Sequence, residues 1–261
     1  MKSIDSSAAK ISGDGNAIAY VRETATSREL ILQSLANPES SEVIAHNPTL
    51  KLAYGRAISN DGLRVVYSAE TESNASQLFL WDGRNSITRQ LTSLEVRSED
   101  VPLQGTISGD GMRVSFATRR SVGGGNADHS VELYVLDIPS GQIESVTNAP
   151  ASATSEIVSS LNDDGSQIAF NFPRVLSGVV SSSSFANNSE IYLASLSPRP
   201  TFGTLVVLNG AAPVSVQSID EAIAPGSIAV ARGNVLAVTT QQATRQADGS
   251  FPLRVSGTTV T

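Results

Sequence analysis

The chain is 261 residues long with a net charge of −7, charged residues at only 16% and no cysteine, which rules out disulfides, thiolate metal sites and a cysteine nucleophile. Arg119-Arg120 is its one tandem basic pair, so nucleic acid, whose phosphates need clustered positive charge, is not expected as a partner. No run of about 18 apolar residues is present to span a membrane as a helix, and the polar start Met1-Lys-Ser-Ile-Asp-Ser-Ser-Ala-Ala-Lys10 lacks the apolar stretch of a signal peptide.

Taken from the start, Ala8-Ala9 open an inner strand that leads into the phrase Ile11-Ser-Gly-Asp-Gly15-Asn-Ala-Ile-Ala-Tyr20. Asp-Gly between two apolar runs predicts a tight turn, because Asp bonds the local backbone and Gly reaches positive φ without a Cβ penalty. The alternation behind it predicts a strand with one buried face. The phrase is therefore a β-hairpin. Glu29-Leu-Ile-Leu-Gln-Ser-Leu35 supplies a third strand and Ser41-Glu-Val-Ile-Ala45 a fourth, after which His46-Asn47-Pro48 turns. His46 reads as a loop histidine; with one other histidine in the chain, no histidine metal set is expected around it.

The pattern then recurs. The second copy runs Ile58-Ser-Asn-Asp-Gly62-Leu-Arg-Val-Val-Tyr67, with Gln77-Leu-Phe-Leu-Trp-Asp82 and Ile87-Thr-Arg-Gln-Leu-Thr92 as third and fourth strands. Phe79 and Trp81, two apart, share a face and read as packing between repeats, with ligand stacking as the alternative. The third copy runs Ile107-Ser-Gly-Asp-Gly111-Met-Arg-Val-Ser-Phe116, then Val131-Glu-Leu-Tyr-Val-Leu-Asp137 and Ile143-Glu-Ser-Val-Thr147. Its strands two and three are joined by Arg119-Arg-Ser-Val-Gly-Gly-Gly-Asn-Ala-Asp-His129. The tandem arginines read as a solvated strand end, and three glycines suit a flexible loop. A phosphate cradle would need a helix to follow, and a strand follows. The fourth copy, Leu161-Asn-Asp-Asp-Gly165-Ser-Gln-Ile-Ala-Phe170, leads through a longer loop over 173–188, containing Arg174, to Glu190-Ile-Tyr-Leu-Ala-Ser-Leu196.

A unit of about 40–50 residues with four short strands reads as a propeller blade. The expected fold is all-β, with four-stranded blades at about 8–45, 52–92, 103–147 and 157–200. Four copies stand at the low end of the propeller range, so a partial propeller is expected. The repeats occupy 1–200. The stretch 201–261, short apolar runs punctuated by Gly and Pro, is expected to be a partial, β-sandwich-like module.

Two resemblances follow from these residues. Ile-Ser-x-Asp-Gly-x-x-Val/Ile-x-Phe/Tyr, the third-strand Leu/Ile-Tyr/Phe-Val/Leu and the fourth-strand Leu/Val-Thr resemble the TolB-type (WD40-like, PD40) propeller repeat. The proline usual before Asp-Gly is replaced by Gly13, Asn60, Gly109 and Asp163. In the tail, the order Val-Leu-Asn-x-Ala-Ala, Ile-Ala-Pro-Gly-Ser-Ile, Gly-Asn-x-Leu-Ala, Ser-Gly-Thr-Thr-Val-Thr is similar to the start of a C-terminal domain family of exported acidobacterial proteins. Arg232 stands there where that family has an aromatic residue.

The turn residues Asp14, Gly15, Asp61, Gly62, Asp110, Gly111, Asp164 and Gly165 read as structural. Asn162-Asp163-Asp164 reads as an ordinary turn, with an exposed cation site as the alternative. No Gly-x-Ser-x-Gly elbow occurs, and no carboxylate pair stands out for glycoside chemistry. No cofactor or metal is expected. In an antiparallel meander the Asp-Gly turns share one face of the disc and both long loops lie on the other, where they read as a binding surface or as neutral insertions. The expected function is therefore a non-catalytic scaffold, not an enzyme. It would bind a protein or a cell-envelope component through the face carrying 119–129 and 173–188, with Arg119, Arg120, His129 and Arg174 as candidate contacts. The alternative is a propeller-class enzyme acting on glycans in the central channel. Self-association through open propeller edges is a further expectation. A composition rich in Ser, Thr, Asn and Gly and poor in Lys points to a periplasmic or extracellular place.

Overall fold

Each Asp-Gly phrase folds as a hairpin, and the hairpins set the frame of the computed structural model. It describes residues 6–96, 103–148, 156–172 and 190–199, and four short strands beyond them. The chain divides into two units, Met1–Pro198 and Arg199–Thr261.

The first unit holds four antiparallel meanders. Strands β1 (Ser6–Ile11), β2 (Ala17–Glu23), β3 (Arg28–Ser34) and β4 (Ser41–His46) pair in sequence order. Strands β5 (Arg64–Glu70), β6 (Ser76–Asp82) and β7 (Ile87–Gln90) form the second sheet. Strands β8 (Gly105–Ile107), β9 (Arg113–Thr118), β10 (Glu132–Asp137) and β11 (Ile143–Ser145) form the third, and β12 (Ser159–Leu161), β13 (Gln167–Phe172) and β14 (Glu190–Ser195) the fourth. No helix occurs among the described residues. The propeller-type, all-β architecture read from the repeat is thus the one observed.

One detail differs. The inner strand of the second blade is reduced to two isolated pairings, Lys51 with Ser68 and Ile58 with Val65. The residues between them leave the ladder, and Gly55 comes so close to the third and fourth blades that an added Cβ would stand 2.7 Å from Thr106 and 3.2 Å from the Ser159 carbonyl.

In the second unit β15 (Val206–Asn209) pairs with β16 (Ala229–Arg232), and β17 (Arg254–Val255) with β18 (Thr258–Thr259), both antiparallel.

Stacking of the blades follows from the two-residue period. On each third strand, alternate residues point forward to the next blade. Leu30, Leu78 and Leu133 occupy one such position, each fully buried. The backward face carries a stacked aromatic pair, Tyr67–Phe79 at 5.4 Å, Phe116–Tyr134 at 5.7 Å and Phe170–Tyr192 at 5.5 Å. Leu78 and Leu80 share a core with Phe116 and Tyr134, and Leu133 and Val135 share one with Phe170 and Tyr192. Aliphatic side chains of one blade thus fill the space against the aromatic pair of the next. Burial of each such side chain contributes about 1.5–3 kcal/mol.

The turns are stitched as well. In the third copy the Ser108 hydroxyl donates to Asp110 Oδ1 (2.6 Å) and accepts from the Arg113 N–H (3.0 Å), while the Met112 N–H donates to the same Asp110 oxygen (2.9 Å). The same bonds recur around Ser12 and Asp14, and around Ser59 and Asp61. In the fourth copy the Asn162 side-chain oxygen takes the serine's acceptor role toward the Gln167 N–H. The four turn glycines have φ of 73°, 69°, 72° and 68°, a conformation that glycine adopts without strain.

Between blades, the Asp14 N–H donates to the Asn60 carbonyl (2.9 Å), the Asn60 N–H to the Gly109 carbonyl (2.7 Å) and the Asp110 N–H to the Asp163 carbonyl (2.7 Å). This explains the replaced proline. Asn60 must donate its N–H, and an added Cβ at Gly13 or Gly109 would lie 2.1 Å from the Asn60 side chain or 2.4 Å from that of Asp163. Glycine and a polar side chain alternate from blade to blade, and each polar side chain lies over a neighbouring glycine.

Candidate functional site

The loop between β9 and β10 is the one long loop of its kind among the described residues; 173–188 and Arg174 lie outside them. Its backbone turns left-handed at Gly123, Gly124, Asn126 and His129, the last two with φ of 65° and 56°. Internal bonds hold it. The Ser121 hydroxyl donates to the Gly125 carbonyl (2.8 Å), the Asn126 amide to the Ser130 carbonyl (2.9 Å), and Arg119 Nε to the His129 carbonyl (3.1 Å). His129 is half-buried, and its Nδ1 has no hydrogen-bond partner among the described residues.

Arg120 corrects the reading of a solvated strand end and leaves the set of surface contacts. It is 3% exposed, and its Nη1 donates to the Ser76 carbonyl (2.7 Å) of the preceding blade. The strand end at Thr118 is covered by that blade, so the guanidinium serves the blade junction. Arg119, half-buried, serves the loop.

Beneath the loop is a cleft of about 230 Å³, with Val122 and Asn126 on one side and Glu132, Tyr134, Ile143 and Thr147 on the other. Glu132 is buried and accepts from the Ser130 hydroxyl (2.5 Å) and the Thr147 hydroxyl. Thr147 in turn accepts from the Leu133 N–H (2.9 Å). The second blade builds the same bracket from Gln77 and Thr92, with the Thr92 hydroxyl donating to Gln77 Oε1 (2.8 Å) and accepting from the Leu78 N–H (2.9 Å). Glu132 therefore anchors the fourth strand, and it also gives the cleft a negative floor. Burial, with Glu132 and Asp128 adding to it, pushes the Tyr134 phenol up to about 12.

A second polar assembly lines the inner strands, one residue from each blade. Lys10 Nζ donates to the Tyr54 carbonyl (2.5 Å), the Tyr54 N–H to Gln104 Oε1 (3.0 Å), and Gln104 Nε2 to Glu156 Oε1 (3.2 Å). Partial burial lowers the Lys10 pKa. Beside this row Arg56 Nη1 donates to Asp163 Oδ1 (2.7 Å), which answers the reading of Asn162-Asp163-Asp164: Asp163 is engaged by an arginine. A cavity of about 20 Å³ beside Gln104, Glu156 and Ser159 has room for one water. Sequence reasoning missed this row. Lys10, Tyr54, Gln104 and Glu156 stand at different offsets from their Asp-Gly turns, so the repeat does not mark them.

His46 lies opposite Glu29, with Nδ1 3.6 Å from Oε1, in the position of Thr92 and Thr147. No group of three or more His, Asp or Glu side chains suited to a metal occurs among the described residues.

The turn carboxylates carry a pH signature. Asp14 is held below the usual aspartate range by the Ser12 hydroxyl and Asn16, and Asp164 by the Ser166 hydroxyl and N–H. At Asp61 burial pushes upward, but Ser59, the Leu63 N–H and Arg84 outweigh it. A depressed folded-state pKa contributes stability above the unfolded value of about 3.9, which is lost as pH falls through the folded value. The urea midpoint is therefore expected to hold as pH is lowered toward about 4 and to fall below it, and Asn at all three positions should flatten that fall.

No protein-family model matches the chain, and no curated protein matches it. Solved structures do. TolB from Acinetobacter baumannii is 19% identical, over 74% of this chain and 41% of that one, with a TM-score of 0.51. A putative TolB from Agrobacterium tumefaciens is 21% identical, over 72% of this chain and 57% of that one, with a TM-score of 0.44. The chain thus spans less than two thirds of the length of either. At these identities the likeness establishes the fold, a TolB-like β-propeller. An oligogalacturonate lyase from Vibrio parahaemolyticus also matches, 14% identical over 62% of this chain and 44% of that one, with a TM-score of 0.45. The expectation that the chain is not an enzyme is corrected accordingly. It rested on missing motifs, and structures similar to this one include enzymes.

Proposed function

We propose that the repeats over 1–200 form a binding module, which engages a protein or a cell-envelope component through the face carrying the loops 119–129 and 173–188. The observation that carries this reading is the cleft under the 119–129 loop. Its roof is held in a left-handed backbone by the loop's own bonds, and its wall includes Ile143, 42% exposed. A loop held in sparsely populated backbone conformations above an open cleft is a feature of ligand clamps. Self-association through open propeller edges belongs to the proposal as a separate contact. The stretch 201–261 belongs to the proposal as an accompanying β-rich module. The Ser-, Thr-, Asn- and Gly-rich composition supports a place outside the cytoplasm.

The test uses the whole chain as bait against envelope extracts, beside a variant in which 122–127 are replaced by a short turn. Capture of the same partner by both would sink the loop-face reading; loss with an unchanged urea midpoint supports it. A second reading, chemistry on a glycan at the inner strands, draws on the row Lys10, Tyr54, Gln104 and Glu156 with Arg56 beside it. Turnover of an acidic oligosaccharide that survives loop shortening and is lost in Arg56→Ala would move the function there.

A further inference from the structure

The four blades are not equivalent on their forward faces. At the third-strand position where Leu30, Leu78 and Leu133 are fully buried, Ile191 of β14 is 85% exposed. Two residues on, Leu80 and Val135 are buried and Leu193 is 69% exposed. Val158, opposite Asn171 on the same face, is 45% exposed. The backward face of this sheet, Ile168, Phe170 and Phe172, is buried in the core shared with the third blade. One side of the fourth sheet is thus built as blade core and stands exposed among the described residues.

At its turn end this open face differs from the forward faces of the second and third blades and resembles that of the first, where Ala17 pairs with Ser34. In the second and third blades the paired positions at the turn end hold Arg64 with Asp82 and Arg113 with Asp137. Each arginine reaches forward to a turn carbonyl of the following blade, Arg64 to Gly111 (2.9 Å) and Arg113 to Gly165 (2.7 Å). In the fourth blade the corresponding pair is Gln167 with Ser195. The rest of the face is Val158, Ser160, Ala169, Asn171, Ile191 and Leu193, without a charge among them.

We infer that this face is a self-association surface, on which the fourth blade of a second copy packs face to face about a two-fold axis. Three points select a second copy. The face has the aliphatic character of the forward faces that are buried in the blades before it. Its turn end, Gln167 with Ser195, is free of the charges that stand there in the second and third blades, as Ala17 with Ser34 of the first blade is too. And in a chain of net charge −7 two copies repel over most of their surfaces, whereas an uncharged aliphatic face meets itself without penalty; a two-fold contact requires that kind of self-complementarity. Two strands of six residues and one of three, about 4.8 Å apart and at roughly 3.4 Å per residue, cover about 250 Å². That is well below the roughly 800 Å² per partner of a standard interface, so the dimer is weak and concentration-dependent.

Sedimentation equilibrium of the whole chain from micromolar to millimolar concentration tests this. A monomer–dimer equilibrium is expected, tightening as salt screens the net charge. Leu193→Lys and Ile191→Lys should each weaken it by at least about tenfold with no change in the urea midpoint. A monomer at every concentration overturns the inference. So does a dimer that both variants leave intact. A fall in the monomer's own stability in these variants also overturns it, because another part of the same chain would then cover the face. Neither readout depends on the 119–129 loop, so this inference and the loop-face reading fail separately.

Discussion

Replacing Arg113 by alanine is expected to lower stability by about 3–5 kcal/mol, the range for removing one partner of a buried ion pair. The side chain is 4% exposed. Its Nη1 and Nη2 donate to the carbonyls of Gly165 (2.7 Å) and Ser197 (2.6 Å), so one guanidinium ties the third blade to two segments at the turn end of the fourth. Its Nε stands 3.8 Å from Asp137 Oδ2 across the pair. Alanine would strip both carbonyls of their donor and leave the Asp137 carboxylate, 7% exposed, without its countercharge. Chemical unfolding at neutral pH measures the effect. A loss below about 1 kcal/mol, ordinary for an exposed pair, would mean that the aliphatic-on-aromatic packing alone holds the two blades together. Arg113→Lys separates charge from geometry. A lysine keeps the charge but lacks the planar fork that reaches two carbonyls at once, so most of the loss should remain.

The second large effect is a contrast at one position of the repeat. Leu133→Ala is expected to destabilise by about 2–5 kcal/mol, because a fully buried leucine in a shared core leaves a cavity as well as losing its transfer energy. Ile191→Ala, at the equivalent position one blade later, is expected to change the monomer's stability by no more than about 0.5 kcal/mol, as an exposed substitution does. The two side chains sit in the same pattern, Glu-Leu-Tyr-Val and Glu-Ile-Tyr-Leu. Only the neighbour differs. Equal effects at both positions would show that the forward face of the fourth blade is covered in the folded chain.

That pair also marks where sequence reasoning stops. Glu190-Ile-Tyr-Leu reads as a third strand like the others, and it is one, but its pattern is silent on whether a following blade covers it. Arg120 shows the same limit from the other side. A tandem arginine at a strand end looks solvated, and here the preceding blade closes over it, because Ser76 offers a carbonyl that no local pattern announces. The row Lys10, Tyr54, Gln104 and Glu156 was not legible for a related reason. Its members stand at different offsets from their Asp-Gly turns and meet only where the blades come together.

By itself the sequence determined the hairpins, the strand order within each sheet and the repeat of blades. Those features depend on interactions within a few residues: aspartate to the backbone of its own turn, glycine at positive φ, apolar side chains two apart. Only the tertiary structure decided the rest. The arginine clasps and the glycine–polar alternation in place of proline join residues about fifty positions apart, and the cleft over Glu132 and the open face of the fourth blade depend on what each surface meets. The physical reason is that burial belongs to a pair of surfaces. One strand's pattern specifies the surface it offers, and stacking decides what that surface meets.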